Sequence, residues 1–334
     1  MPDAAAVIET DDLTRGFRGV TAVDGLTLQV AAGEVVALLG PNGAGKTTTV
    51  RLLNGVLSPE RGTSRVLGLD SSRDGHAIRA RTGVVTETAS LDDRLTAMEN
   101  VLTHARIRGL SIDEARRRAM ALFERFDMAG RADEQVQGFS TGQRKRVALA
   151  RSLVHDPEVL FLDEPTSGLD PDATRDVTEL IATLARERGR TVLLCTHFLA
   201  EAGRLCHRMA VLQRGRLLAF GRPDELAARL WRGTAVDLDL GRTADEHLLG
   251  WVGALEGVHG ADASPTGAVI RITDRAVLPT IVASLVGRDI TVYAVVPRPA
   301  TMEDVYFAVT GGDIGGDIGD GSGDGLGGIG QVVP

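Results

Sequence analysis

The chain has 334 residues, 43% of them hydrophobic and 25% charged, the balance of a folded globular protein; this excludes disordered and collagen-like classes and, at about 150 residues per domain, leaves room for two. The net charge of −8, half of it on Asp313, Asp317, Asp320 and Asp324, offers no basic footprint for nucleic acid, so none is expected among the partners. Two cysteines, Cys195 and Cys206, are too few for a disulfide framework and suit a reducing cytosol, while no signal peptide is expected and no stretch reaches the ~20 apolar residues of a membrane span.

In chain order, residues 34–39 (EVVALL) read as a buried strand, followed by a Gly-rich loop and by a helix with apolar residues at helical spacing. The loop, Gly40-Pro41-Asn42-Gly43-Ala44-Gly45-Lys46-Thr47, matches the phosphate-loop pattern G-x-x-x-x-G-K-[ST] in its required strand-to-helix context. Gly43 and Gly45 let successive N–H groups turn toward phosphate oxygens, aided by the positive end of the helix. Lys46 is placed to bridge β- and γ-phosphates, Thr47 to offer its hydroxyl to Mg²⁺, and Thr48 to reach the α-phosphate. Only two of the 37 basic residues are lysines, Lys46 and Lys145, and a compact ammonium at position 46 does what a planar guanidinium cannot reproduce.

Further apolar runs at 84–86, 158–162, 191–195 and 208–212 alternate with helical stretches, which predicts an α/β fold with a largely parallel sheet covered by helices. Residues 99–155 read as mostly helical, with Arg116, Arg117 and Arg118 on a solvated face. The run Val159-Leu160-Phe161-Leu162-Asp163-Glu164 is a strand ending in two carboxylates. A strand parallel to that of residues 34–39 delivers them beside the phosphate loop, Asp163 to the Mg²⁺ shell and Glu164 to polarise the attacking water.

With these motifs in place, the sequence resembles the nucleotide-binding subunits of ATP-binding-cassette transporters. Phe139-Ser140-Thr141-Gly142-Gln143, followed by RKRVALARSL, resembles the family signature LSGGQ, and Ser167-Gly168-Leu169-Asp170 resembles its D-loop. The resemblance implies that Ser140, Gly142 and Gln143 contact ATP held by an opposite subunit, and that Asp170 lies at the seam of that homodimer. It also implies that His197 senses the γ-phosphate and that Phe17 stacks on adenine. Two departures stand out. Where the family presents a Gln that ligates Mg²⁺, this chain has Glu87, whose extra charge is expected to weaken ATP binding at low Mg²⁺; and Thr141 replaces a Gly, stiffening the signature loop.

A Gly/Pro break at 220–226 is followed by a β-α-β-β-α-β order and a last short helix, TMEDVYFAVT. The resemblance thus implies a P-loop NTPase cassette over 1–225, with a RecA-like core, an N-terminal antiparallel β part and a helical subdomain at about 95–155. A ferredoxin-like α+β domain is expected over 226–310 and a Gly/Asp-rich disordered tail over 311–334. Residues 226–310, ending in RPATMEDVYFAVTG, are similar to the accessory domain of drug-exporter ATPases of the daunorubicin/doxorubicin-resistance type. The implied function is ATP hydrolysis, with ATP and Mg²⁺, driving efflux of a hydrophobic drug through a separate polytopic permease from the cytoplasmic side of the cell membrane. The alternative is a regulatory, ribosome- or nucleic-acid-associated ATPase of the same family.

Overall fold

The computed structural model describes residues 6–187, 189–230 and 234–311, and the chain divides into two compact units between Phe220 and Gly221. The tail predicted to be disordered lies outside the described residues.

In the first unit, β1 (Ala6–Phe17) and β2 (Val20–Ala31) form an antiparallel hairpin, and β3 (Val35–Leu39) leads into α1 (Lys46–Leu53). The chain then returns to the hairpin's sheet through β4 (Arg61–Val66) and β5 (Leu69–Asp70), giving the order β2-β1-β4-β5. After α2 (Gly75–Arg81), β6 (Thr82–Val85) opens a helical segment of α3 (Ala97–Ile107), α4 (Ile112–Arg125) and α5 (Thr141–Leu153). These three helices start where the sequence supplies side-chain caps. Thr96 and Ser140 form reciprocal capping boxes with Glu99 and Gln143, and Ser111 accepts from the Glu114 amide. Then follow β7 (Val159–Asp163), α6 (Pro171–Glu187), β8 (Thr191–Thr196), α7 (Leu199–Leu205), β9 (Arg208–Gln213) and β10 (Arg216–Gly221).

The second sheet has the order β10-β9-β3-β8-β7-β6, with β9, β3, β8, β7 and β6 joined in parallel. Every residue of β3, β7 and β8 is buried, as strands covered on both faces must be, and this is why they read as unbroken apolar runs. One apolar cluster takes Leu28 from β2, Val36 from β3, Leu52 from α1 and Phe161 from β7, so the antiparallel sheet, the parallel sheet and the phosphate-loop helix share a core. Each such side chain contributes about 1.5–3 kcal/mol on burial. The consequence for function is positional: the carboxyl ends of β3, β7 and β8 are fixed side by side.

The second unit contains α8 (Pro223–Leu230), β11 (Thr234–Asp239), α9 (Glu246–Gly253), β12 (Val258–Ser264), β13 (Gly267–Ile272), α10 (Leu278–Val286), β14 (Ala294–Arg298) and α11 (Met302–Thr310). Its antiparallel sheet has the order β12-β13-β11-β14, and Val236, Leu238, Ile270 and Ile272 pack with Leu248 and Val252 of α9 and Ile281 and Leu285 of α10. The sequence pattern places the last strand at 290–296, whereas the ladder with β11 begins at Ala294. The delay arises because the Ile290 amide still bonds the Leu285 carbonyl and Asp289 takes a left-handed φ of 58°, wrapping the chain around the end of α10. Arg298 then pairs with Asp237 on β11 and with buried Asp304, tying α11 to the sheet.

Candidate functional site

The loop between β3 and α1 is shaped by close backbone approaches. A Cβ on Gly45 would run into the Ala22 carbonyl and one on Gly40 into that of Leu212, and Gly45 has a φ of 107°, which side chains rarely adopt. Lys46 opens α1 and is 6% exposed; its Nζ donates to the carbonyls of Gly40 (2.6 Å) and Pro41 (3.3 Å). Pro41, Asn42 and Gly43 are exposed at the tip, Ala44 is buried, and in the first turn Thr47 is exposed and Thr48 half-buried.

Opposite stands the end of β7. The Thr47 hydroxyl donates to Asp163 Oδ2 at 2.7 Å, joining the phosphate loop to the strand carboxylate across 116 positions. Burial pushes Asp163 above the usual carboxylate range, against the hydrogen bond from Thr47. Glu164 follows with a left-handed φ of 49°, its amide bonding the Cys195 carbonyl of β8. A non-glycine residue held in that region at a sheet edge is strain of the kind that concentrates at functional sites. Its Oε1 lies 3.3 Å from Lys46 Nζ and 3.0 Å from Nδ1 of His197, which sits just past β8 with its ring 4.0 Å from that of Phe198.

Asp163 Oδ1 and Glu164 Oε2 are buried and have no hydrogen-bond partner. Beside the Thr47 hydroxyl these carboxylate oxygens fit a hard divalent cation whose remaining ligands are phosphate oxygens and water. Among the described residues no group of three or more His, Cys, Asp or Glu could hold a metal ion. Glu87 is exposed just beyond β6 and adds negative charge near Asp163.

The structure thus brings Lys46, Thr47, Asp163, Glu164 and His197 into one contact network. Ser140, Gly142, Gln143, Asp170 and Phe17 make other contacts. Ser140 and Gln143 bond each other, side chain to backbone in both directions, at the start of α5. The Gly142 backbone is packed so that a Cβ would lie 3.2 Å from Ala173 Cβ. Asp170 caps α6 by accepting from the Ala173 amide at 2.8 Å. Phe17 is 42% exposed at the end of β1, with the Arg15 guanidinium 5.0 Å from its ring.

Two contacts escaped the motif reading. Thr166 donates to Glu201 of α7 at 2.5 Å, and burial raises the Glu201 carboxyl above its ordinary range. Lys145 Nζ, buried beneath the site, donates to backbone carbonyls on both flanks of it. Burial lowers the Lys145 ammonium, opposed by the charges of Glu87, Asp163 and Glu164. The scarcity of lysine was the one sequence signal pointing to it.

The geometry supplies an anion cradle, a cation position and a carboxylate aimed by a histidine, the parts required for phosphoryl transfer to water. The family described as ABC transporter matches residues 23–167. The chain is 37% identical over 310 residues, 91% of its own length and 92% of the relative's, to the daunorubicin/doxorubicin resistance ATP-binding protein DrrA of Streptomyces peucetius. It is 46% identical over 228 residues, 68% of this chain and 74% of the relative, to the Nod factor export ATP-binding protein I of Paraburkholderia xenovorans. Among solved structures it is similar to cbiO1 from Clostridium perfringens, part of the ABC transporter complex cbiONQ, with 32% identity and a TM-score of 0.61 over 67% of this chain and 91% of that one. The dimeric post-hydrolysis structure of the ATP-binding cassette MJ0796, bound to ADP and Pi, matches with 26% identity and a TM-score of 0.60 over 64% and 98%.

Proposed function

The chain belongs to the ATP-binding subunits of ABC transporters, and from that premise we propose that it powers the export of a hydrophobic, drug-like compound through a separate membrane permease. It is an ATP-hydrolysing subunit, and no helix among its described residues is long and apolar enough to cross a membrane. What favours drug export is the length of the likeness to the daunorubicin/doxorubicin resistance protein, which covers 91% of this chain and therefore takes in the second unit as well as the cassette. No observation favours the regulatory or nucleic-acid alternative.

The mechanism we assign follows the contacts. The loop from Gly40 to Thr48, through the backbone amides from Asn42 onward and the N-terminus of α1, holds the phosphates; Lys46 offsets the charge of the β- and γ-phosphates. Thr47, Asp163 and the Glu87 side chain would hold Mg²⁺, which when bound would supply charge neutralisation at the transferring phosphoryl group. Glu164 accepts the proton of the attacking water while His197, hydrogen-bonded to Oε1, fixes its direction. Phe17 takes the adenine by stacking. Ser140, Gly142, Gln143 and Asp170 belong to the face turned toward a second copy of the chain, whose ATP the N-terminus of α5 meets.

We divide the chain at about residue 225 into this cassette and an accessory domain reaching residue 310. The order of β12-β13-β11-β14 with two helices supports a ferredoxin-like reading of the latter. The subunit works at the cytoplasmic face of the cell membrane, through the permease. Drug susceptibility of cells carrying chain and permease together tests export: resistance lost with Lys46→Ala is the expected result, and resistance that survives it contradicts ATP-driven efflux.

A further inference from the structure

Lys145 takes no part in the mechanism above, yet it is 2% exposed and lies on α5 two residues beyond Gln143. Its Nζ donates to the carbonyl oxygens of Thr86 at 3.4 Å, of Glu87, and of Glu164 at 3.2 Å. An ammonium has three donors, and here each has a carbonyl. Two of these acceptors belong to the loop after β6 and the third to the residue after β7, segments far apart in sequence. The Glu164 carbonyl also accepts from the Ser167 amide at 3.2 Å, so it anchors the turn in which Glu164 keeps its φ of 49°. A buried cation satisfied by three backbone acceptors is costly to replace with an apolar group, because the carbonyls then lose their partner.

We propose that Lys145 is a positioning residue for hydrolysis: it pins the loop bearing Glu87 to the backbone of Glu164, and so fixes the direction of that carboxylate. The inference rests on the assignment of Glu164 as general base. Lys145 bonds backbone carbonyls and acts through the peptide that carries the base. A small displacement of a catalytic group costs up to about 100-fold in rate while leaving substrate binding largely intact.

The test compares full-length wild-type protein with the Lys145→Met, Lys145→Arg and Glu164→Gln variants, by steady-state hydrolysis of Mg-ATP and by amide hydrogen exchange without nucleotide. Lys145→Met should lower kcat by about 10–100-fold with KM for ATP within about threefold. Exchange should quicken at residues 86–88 and 166–167 and not in β8 or β9. Lys145→Arg, which keeps charge and donors, should return kcat to within about fivefold of wild type. A kcat for Lys145→Met within twofold of wild type overturns the proposal, as does unchanged exchange at both segments or an increase spread evenly over the chain. Full turnover in Glu164→Gln removes the base assignment instead, and the exchange comparison still decides whether Lys145 joins the two loops.

Discussion

Lys46 and Glu164, the phosphate-loop cation and the carboxylate assigned as general base, are paired with each other, Nζ to Oε1 at 3.3 Å, and their side chains are only 6% and 9% exposed. Triphosphate binding therefore competes with Glu164 and the two loop carbonyls for the same ammonium. On the proposed mechanism, occupation of the cradle by phosphate would free the Glu164 carboxylate to act as base.

Lys46→Ala is expected to lose ATP binding by at least about 100-fold, since a charge-assisted contact and a buried counter-charge disappear together. Isothermal calorimetry measures this directly, and ATP affinity within threefold of wild type would contradict the role of Lys46. The variant also removes the ammonium that pairs with the buried Glu164 carboxylate, so its unfolding temperature should fall and should be partly restored by adding Glu164→Gln.

Asp163→Asn keeps the acceptor for the Thr47 hydroxyl and removes the charge opposite the cation position. The Mg²⁺ concentration needed for half-maximal hydrolysis should rise at least about tenfold, while ATP binding without Mg²⁺ changes little or improves. A titration of Mg²⁺ at fixed ATP distinguishes this from a loss of nucleotide binding.

Glu87→Gln should tighten ATP binding several-fold at low Mg²⁺ and change it less when Mg²⁺ is saturating, because the carboxylate adds negative charge beside Asp163. Equal affinities of the two proteins in the presence of a chelator would show that Glu87 lies outside the field of the nucleotide.

His104 and His155, with ring centroids 5.6 Å apart, are both held below their ordinary range by burial, His104 to about 3, with Arg108 also disfavouring its charged form. Folding therefore disfavours the charged form of both, whereas the unfolded chain protonates from about 6.5 downward, and His104 stays neutral in the folded chain down to about 3. Their contribution to stability is therefore complete above about 6.5 and is lost as pH falls, in the case of His104 down to about 3. His104→Phe should flatten the loss of unfolding temperature between pH 7 and pH 4, and an unchanged pH profile would contradict the burial argument.

The parallel core was legible because β3, β7 and β8 are buried on both faces and leave uninterrupted apolar runs. Their carboxyl ends carry Lys46, Asp163, Glu164 and His197, so the same runs pointed to the site. The antiparallel strands β1, β2, β4 and β5 followed from the family resemblance and not from alternation of their residues. Their pairing explains this: β1 breaks register at several places, including beside Asp12 with its left-handed φ of 47°. Lys145 was visible as a rare residue, but its role depends on three backbone carbonyls, which have no side-chain signature. Ser140 and Asp170 matched family motifs, and the fold adds that each also caps its helix, so loss of either costs about 1 kcal/mol of helix stability besides any effect on a nucleotide.

Glu164 is assigned as the base of an ATPase. The most direct measurement is single-turnover and steady-state hydrolysis of Mg-ATP by the Glu164→Gln variant, with nucleotide occupancy and oligomeric state followed together. The substitution keeps the shape of the side chain and removes its proton acceptor, so hydrolysis should fall by about 10²–10⁴-fold, while ATP stays bound and the protein accumulates as an ATP-loaded dimer. Turnover at the wild-type rate in this variant would contradict the account.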